Sequence, residues 1–258
     1  MPTTALNHFV QDIERSKTLV LHGDSLPYTT PDQQLLRSDV LRSGWMFAVG
    51  ALDAYFCDAY TDIVAATIIA KSRQQNINLP DFFYDIKFPV RAILEPYTQN
   101  ENWRWRMAAR KMMERENVLS LNSIQSLFNK FFTKGNKFFR DLVGGWIGKP
   151  GAKTRLFGIT PATYNALLAV DQRSRVDDAW VQMQERYRNV FQRRHDCIHN
   201  CDRPKVSPQP LTRAGTVVKV IQDVEFLVTH SDDHITSEFR VFLAGLGCTP
   251  ATIAQAGY

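Results

Sequence analysis

Residues 31–71, PDQQLLRSDVLRSGWMFAVGALDAYFCDAYTDIVAATIIAK, are the stretch that decides the fold. After Pro31 this stretch contains no proline, and its only glycines are Gly44 and Gly50. Its apolar side chains recur every three or four residues, which is the period of a helix and not the alternation of a strand. They are Leu35, Leu36, Val40, Leu41, Trp45, Ala48, Leu52, Tyr55, Phe56, Ala59, Ile63, Ala66 and Ile69. The wide apolar stripe predicts one long helix at the centre of the fold.

Helical patterns also lie on both sides of this stretch, separated by a proline-bearing connection at 74–96 and a basic, glycine-rich loop at about 135–157. They predict helices at 3–21, 103–116, 118–132, 161–170, 174–199, 216–230 and 235–246. No internal repeat or strand pair is evident. The fold class predicted is all-α, a single helical bundle of residues 1–258. It divides into an N-terminal helix and linker (1–30), a core (31–230) and a C-terminal helix and tail (231–258).

The composition is that of an ordinary globular protein. Of 258 residues, 44 % are hydrophobic and 22 % charged, which excludes disordered, collagenous and low-complexity chains. The uncharged apolar run Ser43–Leu52 is far shorter than the roughly 20 residues of a membrane span, and the first residues lack the pattern of a secretory signal. Four scattered cysteines predict free thiols and not a disulfide framework. We therefore expect a cytoplasmic protein without membrane partners.

The positive charge of the chain is concentrated in its middle. The formal charge is +5, yet residues 101–155 alone hold twelve Lys or Arg against four acids, a net charge of +8. The remainder is therefore net acidic. Clustered positive charge indicates a polyanionic partner such as nucleic acid. A solvated helix face followed by a polar loop is the alternative interpretation.

The helix predicted at 174–199 ends in an unusual cluster of polar groups. Its apolar side chains Val176, Trp180, Met183, Tyr187 and Val190 step by four, three, four and three residues, and the next position of this stripe is Arg194. A buried guanidinium needs an anion, so Arg194 either pairs with one or faces a solvent-filled cleft. Residues 193–202, RRHDCIHNCD, hold two of the six histidines and two of the four cysteines.

These residues resemble a known motif. Arg194, four intervening residues and His199 are similar to the Arg-x(4–6)-His motif of the HEPN superfamily of all-helical domains, many of which cleave RNA. The run 193–202 resembles the RRHxIVHxxD variant of the RiboL-PSP-HEPN-like branch, and RSGWMFAVGALDAY at 42–55 resembles the first long helix of that branch. The likeness spans about 31–230 in architecture. Cys197 and the basic insertion before Gly158 depart from the pattern.

The resemblance implies a metal-independent endoribonuclease that works as a homodimer, without a cofactor, in a toxin-like or antiviral defence setting with an antitoxin or other protein as a possible partner. It implies that His199 acts as general base on the ribose 2′-hydroxyl, or as general acid on the leaving oxygen, and that Arg194 holds the phosphate. Five residues of a regular helix rotate by roughly 500°, so these two side chains would lie about 140° apart. Either the helix ends before His199 or a second subunit completes the site.

The neighbouring residues have less specific roles. His195 and Asp196 could orient the pair or bind ribose, Asn200 could donate to a phosphate oxygen, and Asp202 belongs to the same supporting group. Arg193 is either a phosphate contact or simply exposed. The structural alternative pairs Arg194 with Asp53 and makes His199 a C-terminal helix cap.

Aromatic and basic residues alternate at Trp103-Arg104-Trp105-Arg106, followed by Arg110 and Lys111. This pattern can stack bases and neutralise phosphates. The helical spacing places Trp103 in the core and leaves Trp105 exposed, so the predicted RNA-binding residues here are Trp105, Arg106 and Arg110. The loop at 134–155 lacks the Walker spacing, and we interpret it as a mobile basic flap that contacts RNA through Lys149 and Lys153.

Two other hypotheses stay open. One is a non-catalytic HEPN module that binds a nucleotide or a separately encoded protein. The other is a structural zinc site, because His195 with His199 and Cys197 with Cys201 have the i, i+4 spacing of metal ligands on a helix. The two pairs point in different directions, so we predict no metal site.

Overall fold

The computed structural model describes residues 4–94, 101–113, 118–132, 137–200 and 211–258. The helices, in chain order, are α1 (Thr4–Ser25), α2 (Pro31–Arg73), α3 (Asp81–Tyr84), α4 (Val90–Leu94), α5 (Glu101–Met113), α6 (Leu121–Phe128) with a 3-10 turn at Asn129–Phe131, α7 (Val143–Ile147), α8 (Thr154–Phe157), α9 (Pro161–Asn165), α10 (Ala169–Asn200), α11 (Ala214–Gly245) and α12 (Pro250–Gln255). These described ranges contain no strand, which confirms the all-α prediction. None of their helices has the length and apolar character needed to cross a membrane.

Helix α2 is the predicted central helix. Its start is fixed by a capping box: the Thr30 side chain accepts from the Gln33 amide, and the Gln33 side chain accepts from the Thr30 amide, with Pro31 in the first turn. From Leu41 onward the helix is buried on most of its circumference, because α1, α5, α10 and α11 all pack on it. Only its first turns depart from the prediction, since Leu35 and Leu36 are exposed.

Helix α1 packs closely along α2. A Cβ atom at Gly44 would lie 2.8 Å from a methyl carbon of Val20, so the glycine permits the close approach of the two helices. The Ser16 hydroxyl donates to the Gly44 carbonyl oxygen at 2.6 Å. The predicted N-terminal helix is thus confirmed, and it extends to Ser25.

Helix α11 is longer than predicted. The sequence pattern predicted two helices, 216–230 and 235–246, whereas α11 is continuous from Ala214 to Gly245, so the predicted boundary at residue 231 falls inside it. No proline or glycine interrupts this region, Ser231 and Asp232 are buried, and the Tyr55 hydroxyl donates to Asp232 at 3.1 Å. The polarity of these residues was the only signal for a break between two helices, and it was misleading.

The basic, glycine-rich segment is not a flap in its described part, residues 137–157. It forms α7 and α8, and seven of its side chains are buried: Phe138, Phe139, Val143, Trp146, Ile147, Leu156 and Phe157. Gly144 lies at a close contact, since a Cβ atom there would be 3.1 Å from a methyl carbon of Val176. The large apolar side chains, and not the glycines, decide where this segment lies.

Helix α10, which carries the candidate site, is held in place by buried apolar side chains and by an ion pair. Met183, Tyr187 and Val190 of the predicted stripe are fully buried. Asp223 of α11, itself fully buried, accepts from Arg186 of α10 and Arg155 of α8 at 2.8 Å each. The preceding helix α9 begins at Pro161, as predicted, with Thr160 as its N-cap, but it ends at Asn165, and α10 begins soon after it.

Candidate functional site

Helix α10 remains regular through Asn200. The possibility that the helix ends before His199 is therefore wrong, and Arg194 and His199 lie on different faces of one continuous helix. Within one chain the structure does not bring this pair together. Of the supporting residues, Asp202 and Cys201 lie outside the described residues, as does the side chain of Asn200.

The structure does bring the two motif histidines together. The imidazole rings of His195 and His199 have centroids 4.4 Å apart with planes inclined by 42°. Both side chains are exposed, and their i, i+4 spacing places them one above the other on the solvent face of α10. Beside them, Asp196 accepts a hydrogen bond from the Gln192 amide at 2.9 Å. Asp196 is thereby held toward the preceding turn.

Arg194 lies on a different side of α10, roughly 100° around the axis from His195 and toward Asp53 of α2. Its side chain is half-buried, and its positive charge acts on the Asp53 carboxylate. Burial raises the pKa of Asp53, while a hydrogen bond from the Val118 amide (3.3 Å) and the Arg194 charge oppose that rise. The electrostatic part of the predicted Arg194–Asp53 pairing is thus present. The adjacent Arg193 is half-buried, with its guanidinium carbon 5.9 Å from the centroid of the Trp45 ring.

A cleft of about 520 Å³ opens between α10 and the residues that begin α6. His195 lines it together with Arg188, Gln184 and Gln192. Sequence reasoning did not single out Arg188 or Gln184. The signal was available, because residues 184, 188, 191, 192 and 195 recur at the helical period and therefore share one face.

Comparisons with protein-family models, with curated proteins and with solved structures find nothing that matches the chain. The HEPN resemblance therefore rests on the residues at 42–55 and 193–202, and membership of that superfamily stays a prediction.

The aromatic and basic residues of α5 differ from expectation. Trp105 packs against the core, whereas Trp103 is 36 % exposed. The reason is that Ala108, Ala109 and Met113 form the buried face of α5, and Trp105 precedes Ala109 by one turn. The predicted burial of the two tryptophans was the wrong way round.

Arg106 is engaged in the protein interior. Its Nε lies 2.6 Å from a carboxylate oxygen of Asp62 on α2, and both side chains are largely buried. Burial raises the pKa of Asp62 to about 6, against the opposing effect of the Arg106 charge. We therefore leave Arg106 and Trp105 out of the nucleic-acid contacts proposed below.

The remaining predicted RNA-binding residues lie on separate elements. Arg110 is exposed on α5, while Lys149 and Lys153 are exposed between α7 and α8. Among the described residues, no three His, Cys, Asp or Glu side chains are grouped to hold a metal ion. The zinc hypothesis also depends on Cys201, which is outside those residues.

Proposed function

We propose that this chain is a metal-independent endoribonuclease of HEPN type whose site lies at the C-terminal end of α10. The observation that carries the proposal is the exposed pair of imidazoles, His195 and His199, 4.4 Å apart beside a cleft lined by Arg188. Imidazole titrates near neutral pH, so a pair of them can supply one proton acceptor and one proton donor. The net positive charge of residues 101–155 supports a polyanionic substrate.

The proposed reaction is transesterification within the RNA. His199 accepts the proton of a ribose 2′-hydroxyl, and the 2′-oxygen forms a bond to the adjacent phosphorus. The bond from phosphorus to the 5′-oxygen breaks, and His195 donates a proton to that oxygen. The products are a 2′,3′-cyclic phosphate and a 5′-hydroxyl, and no external nucleophile is consumed.

Arg194 enters this mechanism from a second copy of the chain. On its own helix it lies roughly 100° around the axis from His195 and about 140° from His199, so it does not converge on the phosphate that this pair holds. In a homodimer with facing α10 helices, the guanidinium of one copy can bind the phosphate held at the histidines of the other. The phosphoryl oxygens gain charge in the transition state, which the guanidinium stabilises.

The direct test is cleavage of a generic RNA in EDTA by the wild type and by His199→Ala. We expect the wild type to release 2′,3′-cyclic phosphate ends and the variant to lose at least about 100-fold in rate. His22→Ala, which removes an exposed histidine of α1, is the matched control and should retain full activity. Undiminished cleavage by His199→Ala would exclude the mechanism.

A second candidate function is a non-catalytic HEPN module that binds a nucleotide or a protein partner. The Arg194–Asp53 interaction favours it, because an arginine that stabilises a half-buried carboxylate is not free to serve a phosphate. In that case the purified protein cleaves no RNA with or without Mg²⁺, and it co-purifies with a second protein. Arg194→Ala then lowers stability and has no catalytic effect.

A further inference from the structure

The cleft beside His195 has the size and walls of a small-ligand site. Its volume of about 520 Å³ lies within the range of roughly 300–1,000 Å³ that such sites occupy. The buried side chains of Phe191 and Leu121 form apolar parts of its lining, and polar side chains surround them. A planar ligand with an apolar face and polar edges would match this lining.

Its charge favours an anion. Arg188 is exposed, lines the cleft and makes no ion pair with any residue that the structure describes. No Asp or Glu is present among the lining residues in the described part of the chain. The guanidinium and the imidazole of His195 are thus its ionisable groups there, and a guanidinium binds phosphate through paired hydrogen bonds.

The walls also carry side-chain amides. Gln184 of α10 and Asn122 of α6 line the cleft, and neither amide is hydrogen-bonded to a described residue. An amide side chain offers both donors and an acceptor, which is the combination found on the edges of nucleobases. The hydroxyls of Ser120 and Ser123 are already hydrogen-bonded to each other at 2.7 Å, and Ser120 accepts from the Ser123 amide. Recognition of the ligand therefore depends on the side-chain amides of Gln184 and Asn122, and not on the first turn of α6.

We infer that this cleft binds one nucleotide of the RNA, with Arg188 on a phosphate and the amides of Gln184 and Asn122 on the base edge. The inference rests on the proposed function and deepens it, because it makes the cleft the part of the site that selects the base next to the cleaved bond. His195 lines the cleft and its ring centroid is 4.4 Å from that of His199, so a nucleotide held there is adjacent to the imidazole pair.

The test is equilibrium binding to the full-length chain, which separates recognition from catalysis. The first probes are the four 3′-mononucleotides, whose binding is measured by calorimetry. The second probe is a fluorescein-labelled 2′-O-methyl RNA hexamer, which lacks the attacking hydroxyl and whose binding is measured by fluorescence anisotropy. We expect Arg188→Ala to weaken binding of the mononucleotides at least tenfold, since it removes charge-assisted hydrogen bonds. Gln184→Ala should reduce the preference among the four bases. Arg173→Ala, an exposed arginine elsewhere on α10, is the matched control and should bind as the wild type does.

Two results overturn the inference: no mononucleotide binds the wild type, or Arg188→Ala and Arg173→Ala bind alike. RNA cleavage, measured on the same preparations, distinguishes this failure from failure of the proposed function. Binding that depends on Arg188 without any cleavage supports the nucleotide cleft and contradicts the nuclease. Cleavage with unchanged binding in Arg188→Ala supports the nuclease and contradicts the cleft. Thermal melting of each variant confirms folding.

Discussion

The indole N–H of Trp45 on α2 donates a hydrogen bond of 3.1 Å to the carbonyl oxygen of Val190 on α10. Val190 lies one helical turn before Arg194, so this buried contact fixes how the end of α10 sits on the central helix. It ties the stretch 42–55 to helix α10 just before the stretch 193–202, and these are the two stretches that carry the HEPN resemblance. The two stretches are therefore structurally coupled.

Removing this hydrogen bond should destabilise the protein. Trp45→Phe loses the donor and part of the buried ring, so we expect the free energy of unfolding to fall by about 1–2 kcal/mol. Urea unfolding monitored by circular dichroism measures it. Trp180→Phe is the control, because the half-buried Trp180 of α10 makes no hydrogen bond through its indole to the described residues. An equal loss in both variants would show that ring area, and not the hydrogen bond, is responsible.

The composite site makes a quantitative prediction for mixed subunits. His199→Ala and Arg194→Ala should each be inactive alone. After equimolar mixing and subunit exchange, half of the dimers are mixed, and each has one of its two sites intact, so we expect about a quarter of the wild-type activity. The readout is RNA cleavage in EDTA, with light scattering to establish the dimer. If both residues act within one chain, mixing restores nothing.

The buried carboxylate of Asp223 should be a major stabilising group. It accepts from both Arg155 and Arg186, and Asp223→Asn removes the charge that these guanidinium groups share. We expect a loss of about 3–5 kcal/mol, because a buried ion pair is broken on one side only. Asp177→Asn breaks an exposed pair with Arg140 and should cost less than about 1 kcal/mol. Denaturant unfolding of the two variants tests this difference.

Asp62 should make stability depend on pH. Burial raises its pKa in the folded protein from 3.8 to about 6, so the folded state binds more protons than the unfolded state between these two values. The free energy of unfolding therefore falls as pH rises from about 4 to about 6, by up to about 3 kcal/mol from this group. Well below pH 3.8 the carboxyl is protonated in both states, and this contribution no longer changes with pH.

The measurement for Asp62 is the difference in unfolding free energy between Asp62→Asn and the wild type, followed from pH 4 to pH 7. Loss of the charge opposite Arg106 shifts the whole curve, so the informative quantity is its slope. The free energy of unfolding of Asp62→Asn minus that of the wild type should increase as pH rises. Asp81→Asn, at an exposed position, should give a flat difference. A flat curve for Asp62→Asn would contradict the raised pKa.

Local signals in the sequence predicted the elements near the site well. The start of α2 follows from Pro31, and the burial of Met183, Tyr187 and Val190 follows from their spacing. The same signals failed for Trp103 and Trp105, because helical spacing groups residues on a face but does not say which face meets a neighbour. The predicted break at Ser231 was wrong for a related reason, because the hydrogen bond from Tyr55 to the buried Asp232 cannot be inferred from the local sequence.

The sequence by itself determined the all-α class, the long central helix and the cluster of titratable residues at 193–202, because periodicity, caps and composition act over a few turns of chain. Only the tertiary structure decided that His195 and His199 face solvent beside a cleft while Arg194 faces Asp53. The physical reason is that burial and charge pairing depend on which distant helices pack together. The same packing made Arg188 part of the cleft and drew Arg106 into an ion pair with Asp62.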